Sequence, residues 1–387
     1  MPWKGKSPVD LRMEFIARLK SGERMTELCV EYGISRKTGH KLSKQFDEFG
    51  VQGLFDRSRA PRHIPHKTPP EVAELVVAER LRHPTWGPRK LKEVLEQRLG
   101  HAFPAASTLG DILLRRGLVE RRKGRRRHRP QPTKLRLAAA PNDVWCIDYK
   151  GQFRLGDQSY CYPLTVTDQH SRYVLGCEGM AAIDEDQARE CLASIFSEHG
   201  LPLVMRSDNG PPFASTGLAG LTKLSVFWMR LGITPERIRP AHPEENGQHE
   251  RMHRTLKRET TRPARTNLLR QQEAFDTFVR EFNTTRPHEA LEMKRPADVY
   301  RKSSRPYPER LTELTYPTHD DVVDVYGNGL LYLSRTRRPY LSAALAGQPV
   351  GVREEGDGRL LISFMHIDLG HVEKDDSFTP TNPLGIS

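Results

Sequence analysis

The segment VWCIDYKGQF, Val144 to Phe153, sets an aspartate in the middle of an apolar, aromatic-rich run. The residue types predict a strand buried in a sheet. A carboxylate at the centre of such a strand costs several kcal/mol unless a partner or a metal ion compensates it. Asp148 therefore calls for company, and two later stretches offer it. In RSDNGPPF (Arg206 to Phe213), Asp208 follows the apolar run LVM and precedes a Gly-Pro-Pro breaker, which places it at a strand end. In RPAHPEENGQHERMHRTLKRE (Arg239 to Glu259), a Pro/Gly/Asn-rich loop gives way near Gln248 to a helical pattern whose first turn holds Glu250. Taken singly, an Asp before Asn-Gly is a turn former and a Glu in a first helical turn is a partner for the helix dipole. Together, three carboxylates on a strand centre, a strand end and a helix start can converge to hold divalent metal ions for phosphodiester chemistry.

The pieces NDVWCIDYKGQF, YPLTVTDQHSRYVLG (Tyr162 to Gly176), SDNGPPF, HPEENGQHERMHRTLKRE and FNTTRPHEALEMKRPADVY (Phe282 to Tyr300) occur in this order. In them the chain resembles the insertion-sequence transposases of the DDE type, whose catalytic core is shared with retroviral integrases. The resemblance implies a ribonuclease-H-like α/β core with a mixed sheet, with Asp148, Asp208 and Glu250 as catalytic residues and metal ligands. It implies two Mg²⁺ or Mn²⁺ ions roughly 3.5–4 Å apart, one activating water or a DNA 3′-hydroxyl and the other stabilising the leaving oxygen. It also implies cleavage of a mobile element's ends and their joining to target DNA. A catalytically inactive DNA-binding regulator derived from a transposase is the alternative reading, and a purely hydrolytic nuclease the lesser one. His253, Arg254 and Lys257 follow Glu250 at helical spacing and are expected to meet the phosphates of the scissile end. His249 departs from the acidic or neutral residue expected before the glutamate. The His/Cys zinc module of retroviral integrases is absent.

The spacing leaves one ambiguity. Counting from Asp208 by the interval common in integrase-type cores lands on Glu244, whereas Glu250 leaves 41 residues between. Glu250 is preferred, because Glu244 and Glu245 fall in the breaker-rich loop and metal ligands need support from rigid elements. The segment STGLAGLTKLSVFWM (Ser215 to Met229) is long enough to account for the excess.

Composition agrees with a polyanionic partner. The 387 residues carry a net charge of +12 and 36% hydrophobic residues, enough for several domains with real cores. Between Arg115 and Arg136 stand eleven Lys/Arg against the single acid Glu120. Five cysteines, at 29, 146, 161, 177 and 191, form no CxxC pair and read as buried reduced thiols. With no signal peptide and no apolar run of about eighteen residues, a membrane span is excluded and the protein is expected in the bacterial cytoplasm, associated with the nucleoid.

The modules follow in order. Residues 1–56 read as a helix-turn-helix domain, with Ser35 capping a second helix that would aim Arg36, Lys37, His40, Lys41 and Lys44 at the major groove. A Pro/Arg-rich linker, 57–70, leads to a second, winged helix-turn-helix domain at 71–120, with Ser107 as a helix cap and Arg89 and Lys90 as DNA contacts. The basic linker 121–140 is expected to lie along phosphates through Arg121, Arg122, Lys123, Arg125, Arg126 and Arg127. The catalytic core occupies 141–300. Short alternating runs with Gly turns at 311–375 predict a small β-barrel or sandwich, and the stretch resembles the SH3-like C-terminal domain of such transposases; the last dozen residues read as a frayed tail. The expected partners are double-stranded DNA, both element ends and target, further copies of the chain on that DNA, and accessory transposition proteins.

Overall fold

The computed structural model describes residues 7–56, 68–119, 135–240, 242–356 and 358–381. The six arginines and lysines named in the basic linker lie outside them. The chain divides into two units after Thr68.

The first unit holds three helices, α1 (Pro8–Lys20), α2 (Met25–Glu31) and α3 (Arg36–Phe49). Ser35 caps α3, accepting from the Thr38 amide at 3.1 Å. Phe15, Ile16, Leu28, Cys29 and Leu54 form the core. Gly39 makes the α2–α3 packing tight, since a Cβ there would stand 2.7 Å from the Cys29 sulfur. Arg36, Lys37, His40, Lys41 and Lys44 are exposed along α3.

The second unit opens with α4 (Pro70–Arg82), α5 (Pro88–Leu99) and α6 (Ala106–Arg115) around Val76, Trp86, Leu91, Leu95, Leu109 and Leu113. No strand forms beside them among the described residues, and Ser107 lies inside α6, whose cap position is Ala105. The Ser107 capping expectation is thus corrected: Pro104 and Ala105 already turn the chain into the helix.

The core sheet comprises β1 (Val144–Tyr149), β2 (Phe153–Arg154), β3 (Tyr160–Asp168), β4 (Val174–Met180), β5 (Val204–Ser207) and β6 (Thr234–Arg237). β1 is central, antiparallel to β3 and parallel to β5; β4 pairs antiparallel with β3 and β6 parallel with β5, giving a mixed sheet. The crossover from β4 to β5 is α7 (Glu185–His199), capped by Asp184, and the connection from β5 to β6 contains α8 (Lys223–Arg230). Two further helices, α9 (Gly247–Thr260) and α10 (Leu268–Thr284), share Met252, Leu256, Phe275, Phe278 and Phe282 with the β3–β4 hairpin. Asn283 accepts from the Val174 amide at 2.9 Å and donates to its carbonyl at 2.8 Å, so a side chain continues the ladder where β4 begins. A short α11 (Pro296–Val299) closes this region.

The C-terminal part is a five-stranded antiparallel meander: β7 (Asp321–Asp324), β8 (Pro349–Glu354), β9 (Leu360–Phe364), β10 (Ile367–Val372) and β11 (Phe378–Pro380). Among the described residues the sheet is open, with β7 and β11 as its edges. β11 uses part of the stretch read as a frayed tail, because Phe378 to Pro380 pair with β10. One face of the sheet buries Val350, Val352, Ile362 and Phe364 in the same cluster as Leu221, Val226 and Met229. Thus α8 buries two faces: Leu224, Phe227 and Trp228 face the core, while Val226 and Met229 meet the C-terminal sheet.

Candidate active site

β1 pairs with β3 from Trp145 to Tyr149 and with β5 from Val144 to Cys146, and the side chains of Cys146 and Asp148 emerge on one face by strand alternation. α9 covers that face. Asp208 directly follows β5, the parallel neighbour of β1, and its Oδ1 accepts from the Gly210 amide at 3.1 Å, which fixes the turn. Glu250 lies in the first turn of α9 and is exposed.

Electrostatics ties the three together. Burial, then the charge of Asp208, with a smaller contribution from Glu250, push the Asp148 carboxyl up to about 7, against opposing help from Lys150. A carboxyl that resists ionisation because other carboxylates converge on it is a group that a divalent cation would relieve. Glu244, by contrast, is exposed in the turn before α9 and sits 2.7 Å from His242 Nδ1, and Glu245 bonds Arg239.

Two histidines complete the floor of this corner. Thr165, opposite Asp148 on β3, donates its single hydroxyl proton to the Asp148 carbonyl at 3.1 Å. His249 Nε2 and His253 Nε2, at 2.7 and 2.6 Å from the Thr165 oxygen, must then both be N–H donors to it. His249 Nδ1 accepts from Thr167 at 2.8 Å. His253 Nδ1, also unprotonated, faces Asp148 Oδ2 at 3.6 Å. Both imidazoles are held neutral: burial pushes His249 down to about 3, and burial together with His249 pushes His253 far down. Ligand atoms of Asp148, His249 and His253 lie within 4.8 Å of one another. They do not make a three-ligand metal site, because both nitrogens of His249 are already engaged. Two acceptors, His253 Nδ1 and the Asp148 carboxylate, meet across one gap, so this corner accommodates a protonated carboxyl or a cation.

The placement of His253 is a correction. It was expected beside Arg254 and Lys257 on a DNA-facing side, yet it is buried while those two are exposed. At about 100° per residue, +4 and +7 return to the azimuth of Glu250 whereas +3 falls some 60° short of it, and here that difference separates core from solvent. The stripe 249, 252, 253, 256 and 260 is the buried one. Lys90 is likewise drawn in: burial and then Arg286 push its ammonium down to about 8, whereas Arg89 is exposed and pairs with Glu289 at 3.2 Å.

Thr165→Val is expected to leave two buried imidazole N–H groups without an acceptor and to cost roughly 1–3 kcal/mol. Thermal unfolding measures it; an unchanged midpoint would mean that the histidines find other partners.

Families described as "Integrase core domain" match residues 138–243 and 231–296. A "Homeodomain-like domain" matches 38–113 and a "Helix-turn-helix domain" matches 11–62. The chain is 28% identical over 195 residues to the transposase for insertion sequence element IS904 of Lactococcus lactis, a match covering 47% of this chain and 71% of that protein. It is 31% identical over 176 residues to the Gag-Pol polyprotein of baboon endogenous virus, covering 46% of this chain and only 10% of the polyprotein. The HTLV-2 integrase catalytic core domain, solved in complex with magnesium, aligns at 16% identity and TM-score 0.34 over 43% of this chain and 100% of its own.

Proposed function

We propose, on the footing that the chain is an insertion-sequence transposase of the DDE family with an integrase catalytic core, that it cuts the ends of a mobile element and joins the freed 3′-hydroxyls to target DNA at one site. The observation that carries this reading is the convergence of charge from Asp208 and Glu250 on a half-buried Asp148. The donor set is all oxygen, which suits Mg²⁺ or Mn²⁺. Two such ions, when bound, supply activation of the attacking oxygen and stabilisation of the leaving one.

The chain's own residues do the rest. Asp148 is held from the central strand, Asp208 from the end of its parallel neighbour and Glu250 from a helix, so each ligand rests on a rigid element. The His249–Thr165–His253 arrangement fixes the carbonyl of Asp148 and keeps water from that side. Arg254 and Lys257, exposed on the azimuth of Glu250, are placed to meet scissile-end phosphates, and Lys150, whose ammonium is pushed down by burial and then by the charge of Lys257, adds to that field. No covalent link to protein is needed.

Binding is assigned to the helical modules, with α3 in the major groove through Arg36, Lys37, His40, Lys41 and Lys44, Arg89 on the second module, and the basic linker along phosphates. We read the open C-terminal sheet as an SH3-like barrel and the division of the chain as 1–56, 71–120, 141–300 and 311–375 with linkers between. The working form is an oligomer on DNA, in a bacterial cytoplasm. Among the described residues no helix is long and apolar enough to cross a membrane.

The test is metal-dependent cutting and joining of element-end DNA. A regulator built on a dead core would bind without cutting, and a nuclease would cut without joining. A fragment ending near Ala140 is expected to bind the end DNA without Mg²⁺ and to lose affinity steeply with salt, log K falling by about 0.9 per phosphate contacted for each unit of log salt. Gel-shift titration checks it, and binding that requires core residues would refute the modular assignment.

A further inference from the structure

Between the second helical module and the core lies a cavity of about 320 Å³ that does not include Asp148 in its walls. Five basic side chains line it: Lys90 from α5, Arg172 from the β3–β4 turn, Arg251 and Arg254 from α9, and Arg286 after α10. One carboxylate, Asp168, faces them, and it is already consumed by the amides of Asn142 and Ser171 and the Ser171 hydroxyl.

These cations are not neutralised by one another's partners. Arg286 bonds Glu259 at 2.8 Å, but Arg172 Nη1 is buried without a hydrogen-bond partner among the described residues, as is Nε2 of His288. Burial, then the charge of Arg251, push the Arg172 guanidinium down; burial, Lys90 and Arg286 together push His288 down to about 3. Arg172 also holds a left-handed backbone, φ 65°, which long side chains seldom adopt and which sends its fork into the cavity. Cations crowded along one cavity, one of them with a buried, unpartnered Nη1, are what a multi-oxygen anion satisfies, and a planar guanidinium and an ammonium lining the same cavity match phosphate. The volume suits a phosphate with its sugar more than an extended ligand.

We propose that this cavity takes a backbone phosphate of DNA, held by Arg172 and Lys90, and that DNA thereby fastens the second helical module to the catalytic core. The assignment rests on the reading of the chain as a DNA transposase. Its opening toward Arg251 and Arg254, exposed on the helix of Glu250, is what favours a strand over a free phosphate ion.

The full-length protein without divalent metal, unfolded thermally in inorganic phosphate and in chloride at matched ionic strength, tests it. Phosphate should raise the midpoint by roughly 2 °C or more, and Arg172→Gln and Lys90→Gln should each lose that shift while the exposed-site control Lys223→Gln keeps it. In chloride Arg172→Gln should be no less stable than wild type, since it removes a half-buried guanidinium whose Nη1 has no partner among the described residues, so lost response cannot be misread as lost fold. In saturating duplex DNA, phosphate should add nothing further to the wild type. A shift that survives in both cavity variants overturns the site, and one that survives in saturating DNA overturns the DNA assignment in favour of a free phosphate ligand. No step here involves cutting, so metal-dependent cleavage by the wild type succeeds or fails independently.

Discussion

Asp148→Asn is expected to abolish cutting and joining together, by about 10³-fold or more, while leaving DNA binding intact, because one set of metal ligands would serve both reactions and such stabilisation is worth several kcal/mol. The same substitution makes a second, opposite prediction for stability. The folded carboxyl titrates near 7 against an ordinary value of 3.8. Its pKa is raised, so the stability it contributes is fully present below the unfolded value and is lost as pH climbs through the folded one. Above pH 7 the metal-free protein carries an ionised, half-buried carboxylate that costs at most roughly 4 kcal/mol at ~1.4 kcal/mol per pKa unit. Asp148→Asn should therefore gain little over wild type near pH 4, gain progressively up to about pH 7, and level off. Mg²⁺ should stabilise the wild type at pH 8 and barely affect the variant. Thermal unfolding across pH with and without Mg²⁺, beside a strand-joining assay, reads all of this. Joining that persists in the variant contradicts the shared site, and a variant destabilised at pH 8 contradicts the electrostatic account of Asp148.

Much of this was legible from residue order. An acid inside VWCIDY is a local contradiction, and such contradictions mark function. In the core, continuous apolar runs such as VWCIDY mark the buried strands and the 3.6-residue period marks α7 at Glu185–His199. What stayed hidden depended on which side of a helix is covered. His249 and His253 read as polar, so the buried stripe of α9 did not look like one; its signal was the spacing with Met252 and Leu256, visible only if histidine is allowed as a neutral core residue. LSVFWM in α8 showed more apolar surface than one face needs, but the second covering partner, a sheet some hundred residues later, leaves no local trace. For Lys90 the sequence gives a basic residue on a helix and not the core that packs over it.

The choice of glutamate follows from the same distinction between rigid and loop-borne groups. Glu250→Gln is expected to lower joining by about 10³-fold, on the scale set by a lost metal ligand. Glu244→Gln should stay within a few-fold of wild type, because its carboxylate is exposed and lies against His242. A second readout does not depend on turnover. The charge of Glu250 helps to raise Asp148, whereas Glu244 is not among its causes. Removing Glu250 should accordingly shift the Asp148-linked stability profile toward lower pH, and removing Glu244 should leave it in place. If Glu244→Gln instead abolishes joining and moves the profile, the turn at Pro243–Asn246 folds inward to supply the ligand, and Glu250 serves only to start its helix.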